Sequence, residues 1–459
     1  MDDYPQLSLW HDAVGEDLLP RPALAGSLDI DVVIVGAGYT GLWTAYYLKE
    51  ADPSLRVAIV ESEIAGYGAS GRNGGWCAGE IAGNREKMAA SAGRQAVVAL
   101  WRAMFATVDE VARVASQEGI DCHFKKGGIL SFATSPAQAV RLQRRLEYER
   151  GWGFGPEDFS WIPPPEIDRI GRVTKSIGAL FTPHAAAIHP LRLARGLARA
   201  VEARGVRIFE QTRAQSLDSG LVRTDGGDVK ADIVLRCTEA FTVQLPRHRR
   251  SFIPVYSLML ATEPLPNSFW ESVGLADRQV FNDARHLIIY GQRTADDRIA
   301  FGGRGALYHY GSTLEPEFDQ RASVHTSLRR ILWSLFPDLG NAAITHTWGG
   351  AVAIPRDWRP SVFFDRKAGV GDAGGYVGEG VAASNLAGRT MTDLVLGKES
   401  DLTRLPWVGH RSPRWEPEPL RWLGVNAATL LAPWADSVER RTGRPSRLLS
   451  AALHRLTGK

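Results

Sequence analysis

The chain has 459 residues, 44% hydrophobic and 23% charged, with a mean hydropathy of -0.16, which excludes a disordered or membrane-embedded class and leaves an ordinary globular one. At this length two domains, interleaved or in series, are expected. The formal charge of +3 is uneven: residues 401–459 carry ten Lys/Arg against five Asp/Glu, so the body is nearly neutral and nucleic acid is not the expected partner. Cys77, Cys122 and Cys237 form no C-x-x-C pair, and the 11 histidines show no metal-ligand spacing, so neither a disulfide framework nor a metal centre is expected. The start, Met1-Asp2-Asp3-Tyr4-Pro5, is acidic without an apolar leader, and no stretch reaches the length of a transmembrane segment; a cytoplasmic location follows as an expectation.

The first element is the β-branched run Asp31-Val32-Val33-Ile34-Val35, which suits a strand buried on both faces of a parallel sheet. Gly36-Ala37-Gly38-Tyr39-Thr40-Gly41 follows, then a helical pattern from Leu42. The first glycine permits the tight turn, the second a close approach of backbone to a diphosphate, and the third close packing of helix on strand. A second strand, Arg56 to Val60, ends at Glu61, 20 residues after Gly41, at the reach expected of a carboxylate on ribose hydroxyls, with Ser62 beside it. Next come the glycine-dense loop Gly66 to Gly75, which includes Ala69, Ser70, Arg72, Asn73, Gly74 and Gly75, and helices over 91–120 and 136–150. Small residues in that loop let backbone approach a flat ligand.

Residues 187–204 read as a helix opening at His189-Pro190. Strands are expected at Val206 to Glu210, before Ala214, and at Ile233 to Thr238. Further short strands at 127–132, 255–260, 286–290 and 298–304 suit a second sheet. Near the other end Gly371 to Val381 contains Gly375, Tyr376, Val377, Gly378, Glu379, Gly380 and Val381 and opens a helix from Ala382 to Leu396. Its free N–H groups and positive dipole end suit the pyrimidine edge of a flavin. One glycine segment thus serves ADP and the other an isoalloxazine, which points to FAD.

These pieces, together with Trp348-Gly349-Gly350 and Leu386-Ala387-Gly388, resemble the FAD-dependent D-amino acid oxidase superfamily, and within it the γ-glutamylputrescine oxidase and glycine oxidase-like oxidoreductases; they bracket nearly all of residues 28–397. The resemblance implies an α/β fold: a Rossmann-like FAD-binding domain (1–90, 165–245 and 345–400) interleaved with an α+β substrate domain (91–164 and 246–344) carrying a large, mostly antiparallel sheet, followed by a C-terminal extension, 401–459. It implies oxidation of the C–N bond of a primary or secondary amine or amino-acid derivative, with hydride transfer to flavin N5. The partners implied are a small-molecule amine and oxygen or another electron acceptor; the oligomeric state is open.

Positions similar to substrate-facing places in the family are Tyr256, Tyr290, Trp348 and Arg356. Each has a plainer reading: Tyr290 as a packed strand residue, Trp348 as core, Arg356 as a surface partner of Asp357. Three departures from the family pattern stand out. Ala351, Val352 and Ala353 occupy the stretch where glycine oxidase-like relatives place a carboxylate-binding arginine, Ala300 stands where sarcosine oxidase-like relatives carry a lysine, and Glu239 replaces a glycine or asparagine. A plain α-amino acid is therefore disfavoured as substrate, and oxygen as acceptor is left open. A hydroxylase would need a second dinucleotide fingerprint, which the sequence lacks; a flavoprotein subunit dependent on a partner is the remaining alternative. Trp407, Trp415, Trp422 and Trp434, among prolines and arginines, read as packing on the FAD domain or as a membrane or partner contact.

Overall fold

A computed structural model describes residues 4–442 and 444–446. The acidic start at residues 1–3 and the end of the C-terminal extension at 447–459 lie outside the described residues.

The β-branched run is the middle of the strand Leu28–Val35, extended backwards because Leu28, Asp29 and Ile30 pair with Val229, Lys230 and Ala231 of Asp228–Arg236. Val32, Val33 and Ile34 are wholly buried, as a parallel strand covered on both faces requires. Val57–Val60 and then Arg207–Phe209 add in parallel on one side. Asp228–Arg236 and Val370–Gly374 add in parallel on the other, with Ser361–Asp365 antiparallel at the edge. The helices Tyr39–Ala51 and Gly380–Leu396 cover this sheet and cross closely: a Cβ on Gly388 would lie 2.8 Å from Cβ of Trp43. This half has the Rossmann-like layout expected.

The second sheet has eight strands in the order Ile344–Ile354, Ile253–Thr262, Ile299–Gly303, Ile289–Arg293, Val280–Asp283, Ile129–Ala133, Gly178–Thr182 and Ser160–Ile162. All its pairs are antiparallel except Val280–Asp283 with Ile129–Ala133. Two of these strands depart from the expected division. Gly178–Thr182 and Ile344–Ile354 fall in segments assigned to the nucleotide half, yet they hydrogen-bond into the second sheet. Ile344–Ile354 does so because its register with Ile253–Thr262 runs unbroken from Ile354 to His346 before one irregularity.

Helix starts follow local chemistry. Ser135 caps Pro136–Gly151 and His189 caps Pro190–Ala203, each with proline in the first turn. The helix Arg94–Gln117, in a segment expected to belong to the substrate domain, instead packs with Trp43, Leu386 and Met391. Polar contacts hold it there: Asn385 donates to Tyr47 (2.9 Å), whose hydroxyl donates to Glu110 (2.8 Å), and Arg389 reaches Thr107 (2.5 Å).

The extension divides its packing. Trp407 is fully buried in the core beside the first sheet, and the Trp415 indole donates to the carbonyl of Ile354 (2.8 Å). Leu420–Thr442, with Pro433 inside, is one helix against loops of the second sheet rather than the FAD half. It is tied by Asn426 to the backbone of Tyr308 and by Asp436 to the N–H groups of His286 and Leu287. These contacts on both sides of Pro433 offset the hydrogen bond that proline removes. His286, Asp436 and Glu439 bring three ligand-type atoms within 4.8 Å of one another, but the Arg141 guanidinium, 2.6 Å from Glu439, already supplies the positive charge. Among the described residues, no helix is long and apolar enough to cross a membrane.

Candidate active site

The turn after Leu28–Val35 is sterically committed. Gly36 has φ +106°, and a Cβ there would lie 2.6 Å from the carbonyl oxygen of Cys237. A Cβ on Gly41 would meet the Gly36 carbonyl oxygen at 2.0 Å, so Gly41 serves close packing and does not line the cleft. Glu61 ends its strand with one carboxylate oxygen accepting from Ala37 N–H (2.8 Å) and the other from Glu63 N–H (3.0 Å) and the Ser62 hydroxyl (3.2 Å). Burial pushes its pKa up against these bonds. A cavity of about 240 Å³ brings together Gly36, Gly38, Glu61, Ser62, Ala214 and Thr238. Backbone at a helix N-terminus at one end and a carboxylate at the other fit the diphosphate and ribose of an ADP group.

Tyr39, Thr40, Ala69 and Ser70 also line a second cavity of about 190 Å³, together with Arg72, Asn73, Gly74, Tyr376, Gly378, Glu379, Gly380 and Val381. The loop Gly68 to Gly75 is held open by its own side chains. Ser70 accepts the Tyr39 N–H (2.9 Å), Asn73 accepts the Gly75 N–H (2.7 Å) and donates to the carbonyls of Ala69 and Ser70, and Arg72 pairs with Asp319 (2.6 Å). A Cβ on Gly74 would sit 2.6 Å from the Tyr290 ring, so this wall is flat only as glycine. Gly75 turns away from the cavity against Gln292.

On the opposite wall Gly375, Val377 and Gly378 all have positive φ. Gly375 packs against Phe252 and Pro355 rather than lining the cavity, and the carbonyl of Val377 accepts from Arg304 (2.6 Å). Glu239 organises this bend. Its carboxylate accepts from the N–H groups of Gly375 (3.0 Å), Tyr376 (3.1 Å) and Ala353 (3.0 Å), and its own φ is +43°. Burial outweighs the three donors and pushes its pKa up to about 7. Glu239 lines both cavities, so the departure from the family pattern falls at their junction. Thr40 and Tyr376 link the two glycine segments by a hydroxyl pair at 3.0 Å.

Of the four expected substrate-facing side chains, the fold brings one to the cavity. Tyr290 lines it, its hydroxyl 2.7 Å from the Ser257 hydroxyl and its ring edge-on to Trp76 at 6.0 Å. Tyr256 does not line it, because successive strand residues face opposite sides. Ser257 takes the cavity face, while Tyr256 packs behind the sheet against His309 and Phe318. Trp348 is fully buried outside the cavity, its indole donating to the Arg72 carbonyl (2.9 Å) and its ring meeting Trp10 edge-on, so it braces the loop from behind. Arg356 is drawn away by Glu416 (2.9 Å) and lies over Trp415, and its expected partner Asp357 instead bonds His410 and Ser412.

Several lining residues carry no local sequence signal: Trp76, Glu80, Asn282, Ile288 and Arg304. Val352 was findable, since it lies two residues from Gly350 on the cavity face of the same strand. Glu80, Ile288, Arg304 and Glu379 also line an outer cavity of about 500 Å³, which makes them the passage between the two. Arg304 lies 5.7 Å from the Trp358 ring, and Glu80 pairs with Arg145.

The family model for FAD dependent oxidoreductases (DAO) matches residues 31–394. The gamma-glutamylputrescine oxidoreductase of Escherichia coli (strain K12) is 28% identical over 418 residues, 89% of this chain and 94% of that protein. A sarcosine oxidase subunit beta from Arthrobacter sp is 24% identical over 353 residues, 72% of this chain and 78% of that protein. Among solved structures, the glycine oxidase from Geobacillus kaustophilus superposes with a TM-score of 0.68 at 23% identity, covering 84% of this chain and all of that one, 100%.

Proposed function

The chain belongs to the DAO family of FAD-dependent oxidoreductases, and from that premise we propose that it oxidises the C–N bond of a primary or secondary amine or amine derivative in the cavity beside Tyr290. The observation that carries this reading is the cavity itself. The two glycine segments and the antiparallel sheet meet there beside an aromatic and aliphatic wall of Trp76, Ile289, Tyr290 and Val352, with charged groups at Glu80, Arg304 and Glu379 toward its mouth.

Gly36, Gly38, Glu61, Ser62, Ala214 and Thr238 would hold the ADP part of FAD. The Ala69 to Gly74 loop and the Tyr376 to Val381 helix start would hold its ring system. When bound, FAD supplies the two-electron acceptor for a hydride leaving the carbon beside the substrate nitrogen. The oxidised product is an imine, which water hydrolyses. The chain's own part is to select and orient. In the outer cavity the carboxylates of Glu80, Glu86, Glu149, Asp357 and Glu379 outnumber the arginines Arg85, Arg145 and Arg304, a balance that favours entry of a cationic amine. Desolvation between Trp76, Tyr290 and Val352 favours the neutral amine that can release hydride. The Tyr290 phenol, its pKa raised by burial, stays protonated and can donate to the substrate or to Ser257. Val352 offers no cation for an α-carboxylate, and of the two arginines lining the cavity Arg72 is paired with Asp319 and Arg304 donates to the Val377 carbonyl, which supports an amine over a plain α-amino acid.

A second reading, that the chain works with a further subunit or a non-oxygen acceptor, is favoured by the relative named sarcosine oxidase subunit beta. Ala300, buried near Met259 and Trp348, supports the same reading. Both readings are tested together by anaerobic titration of the flavoprotein with a panel of amines, followed by air or a dye. Bleaching of the flavin band by an amine establishes the first half-reaction. Recovery in dye but not in air selects the second reading for the acceptor. An FAD-loaded protein that no amine bleaches overturns the amine proposal.

A further inference from the structure

The helix Leu420–Thr442 is clamped to the body with an apolar stripe turned outward. Leu420, Leu423, Leu430 and Trp434 are 62, 53, 65 and 57% exposed. With exposed Ala427 they recur at intervals of three, four, three and four residues, so they share one side of the helix. The opposite side is engaged: Arg421 pairs with Glu418, Asn426 bonds both ways with the Tyr308 backbone, and Glu439 pairs with Arg141. A surface helix ordinarily turns its apolar stripe inward. Of the 11 large hydrophobic residues exposed among the described residues, five lie on this helix, so the patch is a concentration and not ordinary scatter.

The charges around the stripe are one-sided. The helix has two acidic residues, Asp436 and Glu439, and both are bound to the body. Residues 440–459 contain six Lys/Arg and no Asp/Glu, and the side chains of Arg441 and Arg444 are exposed. An outward face of leucine and tryptophan followed by a stretch of sequence with basic and no acidic residues complements an anionic lipid surface, with the helix lying in the interface. A second copy of the chain would match the apolar stripe but not this charge. We propose that the outward face of Leu420–Thr442, with the exposed Arg441 and Arg444 at its end, docks the enzyme on anionic phospholipid bilayers.

The test is co-sedimentation of the full-length, FAD-loaded protein with vesicles of equimolar phosphatidylglycerol and phosphatidylcholine, against vesicles of phosphatidylcholine alone. The expected result is binding to the anionic vesicles that is about tenfold stronger than to neutral ones and falls with salt. The double variant Leu423→Asp/Leu430→Asp should abolish it, and Arg441→Gln/Arg444→Gln should weaken it about tenfold, both with unchanged flavin absorbance and melting temperature. Equal binding to neutral vesicles, or none to either, overturns the proposal. So does a dimer in sedimentation velocity without lipid that Leu430→Asp dissociates, since the stripe would then be a contact between copies.

Discussion

Glu239 shows how one side chain can be legible as a departure yet unreadable as a device. Its carboxylate fastens the bend at Gly375 and Tyr376 to the strand at Ala353, three segments far apart in the chain. Its folded pKa of about 7 lies above the 4.5 of an exposed glutamate, so the folded state holds the proton more tightly. The stabilisation from that proton is complete below about pH 4.5 and is lost as pH rises to about 7, a span of roughly 3 kcal/mol. Glu239→Gln removes this slope and one accepted hydrogen bond. In melting curves from pH 5 to pH 8 the wild-type advantage over the variant should shrink as pH rises; a constant gap would show that Glu239 does not titrate in this window. Tyr256 and Tyr290 make a second pair of opposites. Tyr290→Phe loses the Ser257 contact at the cavity and should lower kcat/KM about tenfold, whereas Tyr256→Phe, behind the sheet, should leave it within about twofold. Steady-state kinetics on both variants with an amine that bleaches the flavin decides whether strand alternation assigns the faces correctly.

Among the elements, the helices Tyr39–Ala51 and Gly380–Leu396 govern how the two glycine segments stand relative to each other. Their separation is set at Gly388, where a side chain would enter the backbone of Trp43 and Thr44 at under 3 Å. Gly388→Leu should therefore cost about 1–3 kcal/mol by overpacking, seen as a lower melting temperature, and should weaken FAD retention on gel filtration. A variant equal to wild type in both would mean that the two helices can part freely. Periodicity predicts both helices and the long helix Arg94–Gln117, because an amphipathic stripe is written within a short window. Which body that stripe lies against is not written there. Trp43, Leu386 and the Tyr47–Glu110 bond place the long helix on the nucleotide half, through partners more than forty residues away in sequence.

Across the whole molecule, the cleft proposed for the ADP group is closed by segments around Gly36, Glu61, Ala214 and Thr238, so a ligand there ties together parts of the chain far apart in sequence. Removing FAD should lower the melting temperature. Readdition at about a hundred times its Kd should restore roughly 2.7 kcal/mol, measured by thermal denaturation of apoprotein with and without FAD; an unchanged melting temperature would mean that the folded apoprotein does not bind FAD. The sequence alone determined the strand, turn and helix start from Asp31 through Leu42, the carboxylate at Glu61 and the second glycine-rich helix start, because backbone sterics and burial period act over a few residues. Tertiary structure decided the rest. Register gave Ser257 and not Tyr256 to the cavity, Glu416 drew Arg356 away from it, and Glu80, Arg304 and Glu379 met at its mouth. These outcomes depend on which distant partner satisfies a buried polar or charged group, and no local window of sequence contains that partner.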